Sequence, residues 1–185
     1  MPDLEGNPIR KFYGFTGMID DSGATRLAAA MNQAVNEGVE EVHLCISSLG
    51  GFVHSGVFVH NHMRGLPLKV VAYNMGTVAS IAAAVFVGAA ERYCSAHGVF
   101  MIHPTSFPQL TGMTATLLQS FLDGALADDT RTEAILRECA HVPDNVLADR
   151  RAKDVYITAE LAVTYGLAHA IREFALPEGH QMFQI

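Results

Sequence analysis

Val70-Val71-Ala72-Tyr73-Asn74-Met75-Gly76-Thr77-Val78-Ala79-Ser80-Ile81-Ala82-Ala83-Ala84-Val85-Phe86-Val87 is the stretch that decides the fold class. Valines and a tyrosine open it as a strand, and Asn74 to Thr77 reads as a turn. From about Ala79 to Val87 the residues are small or apolar, which predicts a buried helix. A buried strand followed at once by a buried helix is the building unit of a parallel sheet covered by helices.

The same alternation continues in both directions. Upstream, Val42-His43-Leu44-Cys45-Ile46 is a buried-strand run that stops at Ser47-Ser48-Leu49-Gly50-Gly51. A helix follows to about Arg64, with Gly65 and Pro67 as punctuation. Phe12–Phe15 predicts a short aromatic strand. After it, Ser22 or Asp21 is placed to cap a helix carrying Leu27, Met31, Ala34 and Val35 on one face and ended by Gly38. Downstream, Arg92-Tyr93-Cys94 and Val99–Ile102 read as strands. Thr114 to Ala140 is a long helix with an apolar face that includes Leu117, Leu118, Phe121, Leu122 and Leu126. Its second half, Asp128 to Glu138, is rich in charge and is expected to protrude or to pack on another subunit. Val155-Tyr156-Ile157 leads into a short helix, Ala159 to Tyr165, closed by Gly166. The tail after Ala175 carries no signal. Strands alternating with helices over 185 residues predict a single α/β domain.

Composition narrows the function. Half of the chain is apolar, 17% is charged and the net charge is −7. These values exclude a mainly disordered chain and argue against a phosphate-backbone binder. Cys45, Cys94 and Cys139 are scattered without a Cys-x-x-Cys pair, which reads as reduced thiols in a cytoplasmic setting. Met1 to Glu5 lacks the features of a secretory signal, and the apolar run Val78 to Ala90 is too short to span a bilayer. His54, His60 and His62 lack Cys or carboxylate partners at ligand spacing, so no metal is expected.

Three segments leave predicted strands where parallel α/β sheets place their ligands. In Ser48-Leu49-Gly50-Gly51 the paired glycines let backbone N–H groups approach a ligand, although such a pair is more often only a turn. In Gly76-Thr77-Val78-Ala79-Ser80 a serine opens a helix. Free N–H groups there would stabilise an oxyanion, although a lone serine at that position is more often just a cap. In Met101-Ile102-His103-Pro104 a histidine closes an apolar strand; taken alone, it reads as a satisfied core residue rather than a base.

Taken in order, these three blocks, followed by Lys153-Asp154 before Thr158-Ala159-Glu160-Leu161-Ala162-Val163-Thr164-Tyr165-Gly166-Leu167, resemble the Clp protease proteolytic subunit (ClpP) family. The resemblance runs from about Phe12 to Ile171. It implies a ClpP/crotonase-like superhelix of β-β-α units, with a head of about 12–103 and 141–172 and a handle of about 104–140. By carry-over, Ser80 is the nucleophile, His103 the base and Asp154 the orienting acid, with Asp144 and Asp149 as rivals for the last role. The backbone N–H groups of Gly51 and Ile81 are the implied oxyanion donors, and Gly50, Gly51, Phe52 and Val53 the implied peptide-binding edge. The implied activity is serine endopeptidase cleavage of unfolded polypeptides or short peptides inside a homo-oligomer of stacked heptameric rings. No cofactor is implied in the subunit, since ATP is used only by a partner Clp-family ATPase. The alternatives on the same fold are a catalytically silent ring subunit and a crotonase-like acyl-CoA enzyme.

Several positions depart from the family pattern. Leu49 stands in place of proline, Val78 in place of a small residue, Pro104-Thr105 in place of Gln-Pro, and Lys153 in place of arginine. The spacing from Ser80 to His103 is short, so a trimmed hairpin near Ala96-His97-Gly98 is expected. Pro108 removes a backbone donor from the segment Thr105 to Met113, which in the family pairs with substrate. The short N-terminus implies a truncated axial loop.

Overall fold

The computed structural model describes residues 8–107 and 111–185. The expectations about Pro108 and the extreme N-terminus lie outside the described residues. The elements alternate from the start: β1 (Arg10–Thr16), α1 (Asp21–Asn36), β2 (Glu41–Ser48), α2 (Val53–Gly65), β3 (Lys69–Ala79), α3 (Ile81–Val87), β4 (Glu91–Cys94) and β5 (Val99–Ile102). They continue as α4 (Ala115–Cys139), α5 (Asp144–Arg150), β6 (Val155–Thr158), α6 (Ala159–Thr164), β7 (Ala170–Ile171) and β8 (Met182–Gln184).

One sheet runs in the order β6-β5-β3-β2-β1-β8, with β4 beside β3 and β7 beside β4. All pairs are parallel except β5 with β6. Its two faces differ because side chains alternate along a strand. Val42, Leu44 and Ile46 enter the main core with Leu27, Met31 and the alanines of α3. Cys45 faces the other way, in a smaller cluster with Val71, Tyr73 and Tyr93.

Four local expectations are corrected. Asn74 to Thr77 is not a turn but the middle of β3. The fully buried Asn74 donates from Nδ2 to the Val99 carbonyl (3.0 Å), and its Oδ1 accepts from the Gly76 N–H (3.1 Å). Its side chain thereby replaces ladder bonds at an irregularity where the β2 pairing slips between Ile46 and Ser48. β3 then exchanges one neighbour for another, since Val71 to Asn74 pair with β4 and Thr77 to Ala79 with β5. This also removes the expected hairpin near Ala96-His97-Gly98, because β4 and β5 run in the same direction. The cap of α1 is Asp20, one residue before the two candidates, and it accepts from the Gly23 N–H at 2.8 Å. Finally, it is the first half of α4 that is exposed, with Leu117, Leu118, Leu122 and Leu126 45–56% accessible. The charged second half packs inward and buries Thr132, Glu133 and Leu136.

The silent tail also acquires structure. β8 adds to the β1 edge, and Phe174 and His180 pack on Phe12 of the aromatic face. Where several helices end, Arg92 donates to the carbonyls of Val87, Ala89, Cys139, Gly166 and Leu167 at 2.9–3.3 Å. A guanidinium suits that place, because carbonyls without a helical partner and the negative dipole ends converge there. Among the described residues no helix is long and apolar enough to cross a membrane.

Candidate active site

Strand register builds the site. Ala79, the last residue of β3, pairs with Met101 of β5, and the Ser80 N–H donates to the Met101 carbonyl at 2.7 Å. On the other side of β5, Ile102 pairs with Val155 in the antiparallel ladder. The next residues outward are His103 and Asp154, so they must lie close to each other. Three residues distant in sequence are thus gathered at one end of the central strands.

The contacts follow from this placement. His103 Nε2 lies 2.7 Å from Ser80 Oγ, which is hydrogen-bonding distance. His103 Nδ1 lies 3.9 Å from Asp154 Oδ1, within ion-pair range but too long for a hydrogen bond. The Asp154 side chain is 53% exposed. The rival acids are engaged elsewhere, Asp144 with Arg137 at 2.6 Å and Asp149 with Lys153 at 3.1 Å.

Ser80 occupies the sharp junction between β3 and α3 with φ 56° and ψ −130°. It is the one non-glycine residue with positive φ among the described residues. Such a conformation costs about 1–3 kcal/mol and persists only where the surroundings impose it. Gly50 is part of those surroundings, with φ +99°, and a Cβ there would lie 2.7 Å from Ser80 Cβ. The two loops interlock because one of them carries no side chain.

Gly51, Ile81, Ser80 and His103 line one small cavity. Ile81 is the first residue of α3, where N–H groups have no partner within the helix. Gly51 bridges Ile19 through its neighbours: the Ile19 N–H donates to the Gly50 carbonyl, and the Phe52 N–H donates to the Ile19 carbonyl, both at 2.9 Å. Strand geometry then turns the N–H of Gly51 itself to the opposite edge. Phe52 is half exposed and stacks on His54, while Val53 already belongs to α2 and lines the cavity. The Phe52 N–H is therefore committed, and the open main-chain edge is that of Gly51.

The three histidines of α2 serve separate contacts: His54 with Asp21, His60 with the Ala84 carbonyl and His62 with Asn32. Among the described residues no group of three His, Cys, Asp or Glu could hold a metal ion. Burial pushes the Cys45 thiol up to about 12 and that of Cys94 to about 11, so neither is a nucleophile at neutral pH. Several lining residues escaped the sequence reading, among them Thr132, Leu136 and Arg150. Arg150, at the end of α5, is 2% exposed and reaches the cavity. In sequence it is one of several charges on a short polar helix, and nothing there signals burial.

The Clp protease family matches residues 13–174. The chain is 29% identical over 153 residues to an ATP-dependent Clp protease proteolytic subunit of Paracoccus denitrificans, covering 82% of this chain and 76% of that one. It is 26% identical over 183 residues to an ATP-dependent Clp protease proteolytic subunit 2 of Pseudomonas aeruginosa, covering 91% and 86%. A similar protein of Corynebacterium efficiens, also named subunit 2, is 26% identical over 184 residues.

Proposed function

The chain belongs to the Clp protease family, and from that premise we propose that it is a serine endopeptidase with Ser80 as nucleophile, His103 as base and Asp154 as orienting acid. The observation that carries this reading is the 2.7 Å contact between His103 Nε2 and Ser80 Oγ on a strained strand-to-helix turn.

In the proposed reaction His103 Nε2 removes the Ser80 proton as Oγ attacks the scissile carbonyl. The developing oxyanion is received by the N–H groups of Gly51 and Ile81, and the α3 N-terminus favours the same charge. The tetrahedral adduct collapses when His103 returns the proton to the leaving amine, which leaves an acyl-Ser80 ester. Water, deprotonated by His103, then hydrolyses the ester. Asp154 holds the imidazole tautomer and stabilises its positive charge without taking the proton. That role requires the exposed Asp154 carboxylate to close from 3.9 Å to hydrogen-bonding distance when substrate is bound.

The substrates are unfolded polypeptides or short peptides that lie extended along the Gly51 edge. The exposed leucines of the first half of α4 form the face through which copies stack into heptameric rings and, ring on ring, into a closed chamber. The subunit needs no cofactor. ATP is consumed by a partner Clp ATPase, and the assembly works in the cytoplasm. Ser80→Ala tests the reading. It should lower cleavage of a fluorogenic peptide by about 10⁴-fold or more with the oligomer intact. Residual cleavage near the wild-type rate would refute the assignment.

A further inference from the structure

His103 must present Nε2 to Ser80 Oγ, yet its ring is held loosely on the other side, since Nδ1 lies 3.9 Å from the exposed Asp154 carboxylate. Much of the task of placing the imidazole therefore falls to the main chain. Before His103 that chain is fixed by the β5–β6 ladder, where Ile102 pairs with Val155. After it, Pro104-Thr105-Ser106 leaves the sheet with no strand pairing to hold it. One side chain takes over there. Asp129, near the middle of α4, accepts through Oδ1 from both the Thr105 N–H at 2.7 Å and the Thr105 hydroxyl at 2.9 Å.

Two bonds to one carboxylate oxygen are charge-assisted and so stronger than their neutral counterparts. Pro104 stiffens the connection, because its ring fixes its own φ and restricts His103 before it to extended conformations. A shift of Thr105 is thus passed on to His103 rather than absorbed between them. Behind the clasp the buried Arg150 guanidinium faces the same Oδ1 from further off, with Nη2 at 3.5 Å. Glu133, one turn along α4, is occupied instead by Arg151 at 2.9 Å and Arg137 at 3.0 Å. The clasp also depends on a departure from the family pattern: a proline at position 105 would offer neither the N–H nor the hydroxyl. We propose that Asp129 is a positioning residue for His103. By tying Thr105 to α4 it fixes the loop that leaves the base, and with it the distance and angle at which Nε2 meets Ser80 Oγ. The inference rests on the peptidase reading and adds a residue outside the reacting set. Its effect falls on the chemical step, because the peptide edge at Gly51 lies on a different loop, between β2 and α2.

The test measures kcat and KM on a fluorogenic peptide, and the rate of fluorophosphonate labelling of Ser80, with the assembled full-length protein. Asp129→Ala should lower kcat and the labelling rate by about 10- to 100-fold while KM changes by less than about 2-fold. Asp129→Asn, whose amide oxygen can still accept both bonds, should stay within about 3-fold of wild type. Thr105→Val keeps the shape and the N–H but loses the hydroxyl, and should fall between the two. The double variant should be no slower than Asp129→Ala alone, because both changes undo one contact. A wild-type kcat in Asp129→Ala overturns the proposal. Equal losses in Asp129→Asn and Asp129→Ala also overturn it, since they would assign the effect to charge rather than to the two bonds. If Asp129→Ala does not assemble, Thr105→Val decides, and a wild-type kcat there overturns the clasp. In all these cases labelled wild type leaves the peptidase reading standing. Assembled wild type that is not labelled overturns that reading and the positioning role with it.

Discussion

Arg92 and Arg150 are both buried arginines, and they differ in what surrounds them. Arg92 sits where α3, α4 and α6 end, and spends its donors on five main-chain carbonyls. Arg150 sits beside the Ser80 cavity, stands 3.5–3.6 Å from two carboxylates that prefer other partners, and leaves Nη1 unmet. Burial lowers the pKa of both guanidinium groups. A fully hydrogen-bonded buried charge and a poorly compensated one should therefore respond differently to the loss of the guanidinium.

The largest effect that separates them is on stability. Arg92→Met leaves five carbonyls without their donor and should lower unfolding stability by more than about 3 kcal/mol. Arg150→Met removes a poorly compensated charge whose neighbours keep other partners, so the cost should stay below about 1 kcal/mol. Urea unfolding midpoints of the two variants give the comparison directly. Equal losses would show that Arg150 is a structural anchor like Arg92.

A smaller effect concerns acid. The Arg92 site is built from neutral carbonyls, so its contribution does not titrate in the acid range. The Arg150 neighbourhood depends on Glu133. Burial alone would raise that carboxyl, but hydrogen bonds from Arg151 and Arg137 more than offset it and hold it below the ordinary range. A depressed folded value means that the stabilisation is complete above the unfolded glutamate pKa of about 4.3 and is lost as pH falls through the folded value. Hydrogen-exchange protection along α5 should therefore drop as pH falls below the ordinary glutamate range, while protection at the C-terminus of α3 holds. Parallel loss at both places would contradict the distinction.

Both arginines illustrate what a sequence hides. The alternation of strands and helices was legible because Val42 to Ile46 and Val70 to Tyr73 are apolar, β-rich runs, and because Gly38 and Gly166 stop helices. The residues later found together were legible through their order: Ser80 opens a predicted helix, and His103 and Asp154 flank predicted strands. What stayed hidden depends on partners distant in the chain. Asn74 looked like a turn residue because its bond to the Gly76 N–H is local, whereas its service to the Val99 carbonyl exists only once β5 is in place. The leucines of α4 were recognisable as an apolar face, but periodicity does not say whether the protein's own core covers it. The β8 pairing to β1 spans almost the whole chain, and no local signal anticipates it.

The account turns on whether Ser80 is an activated alcohol, and covalent trapping reads that most directly. A fluorophosphonate probe added to the purified oligomer, with the adduct located by peptide mass spectrometry, should label Ser80 and no other serine, and the adduct should disappear in His103→Ala. A well-assembled protein that stays unlabelled, or one labelled equally well without His103, would contradict the claim that this pair forms the reactive centre.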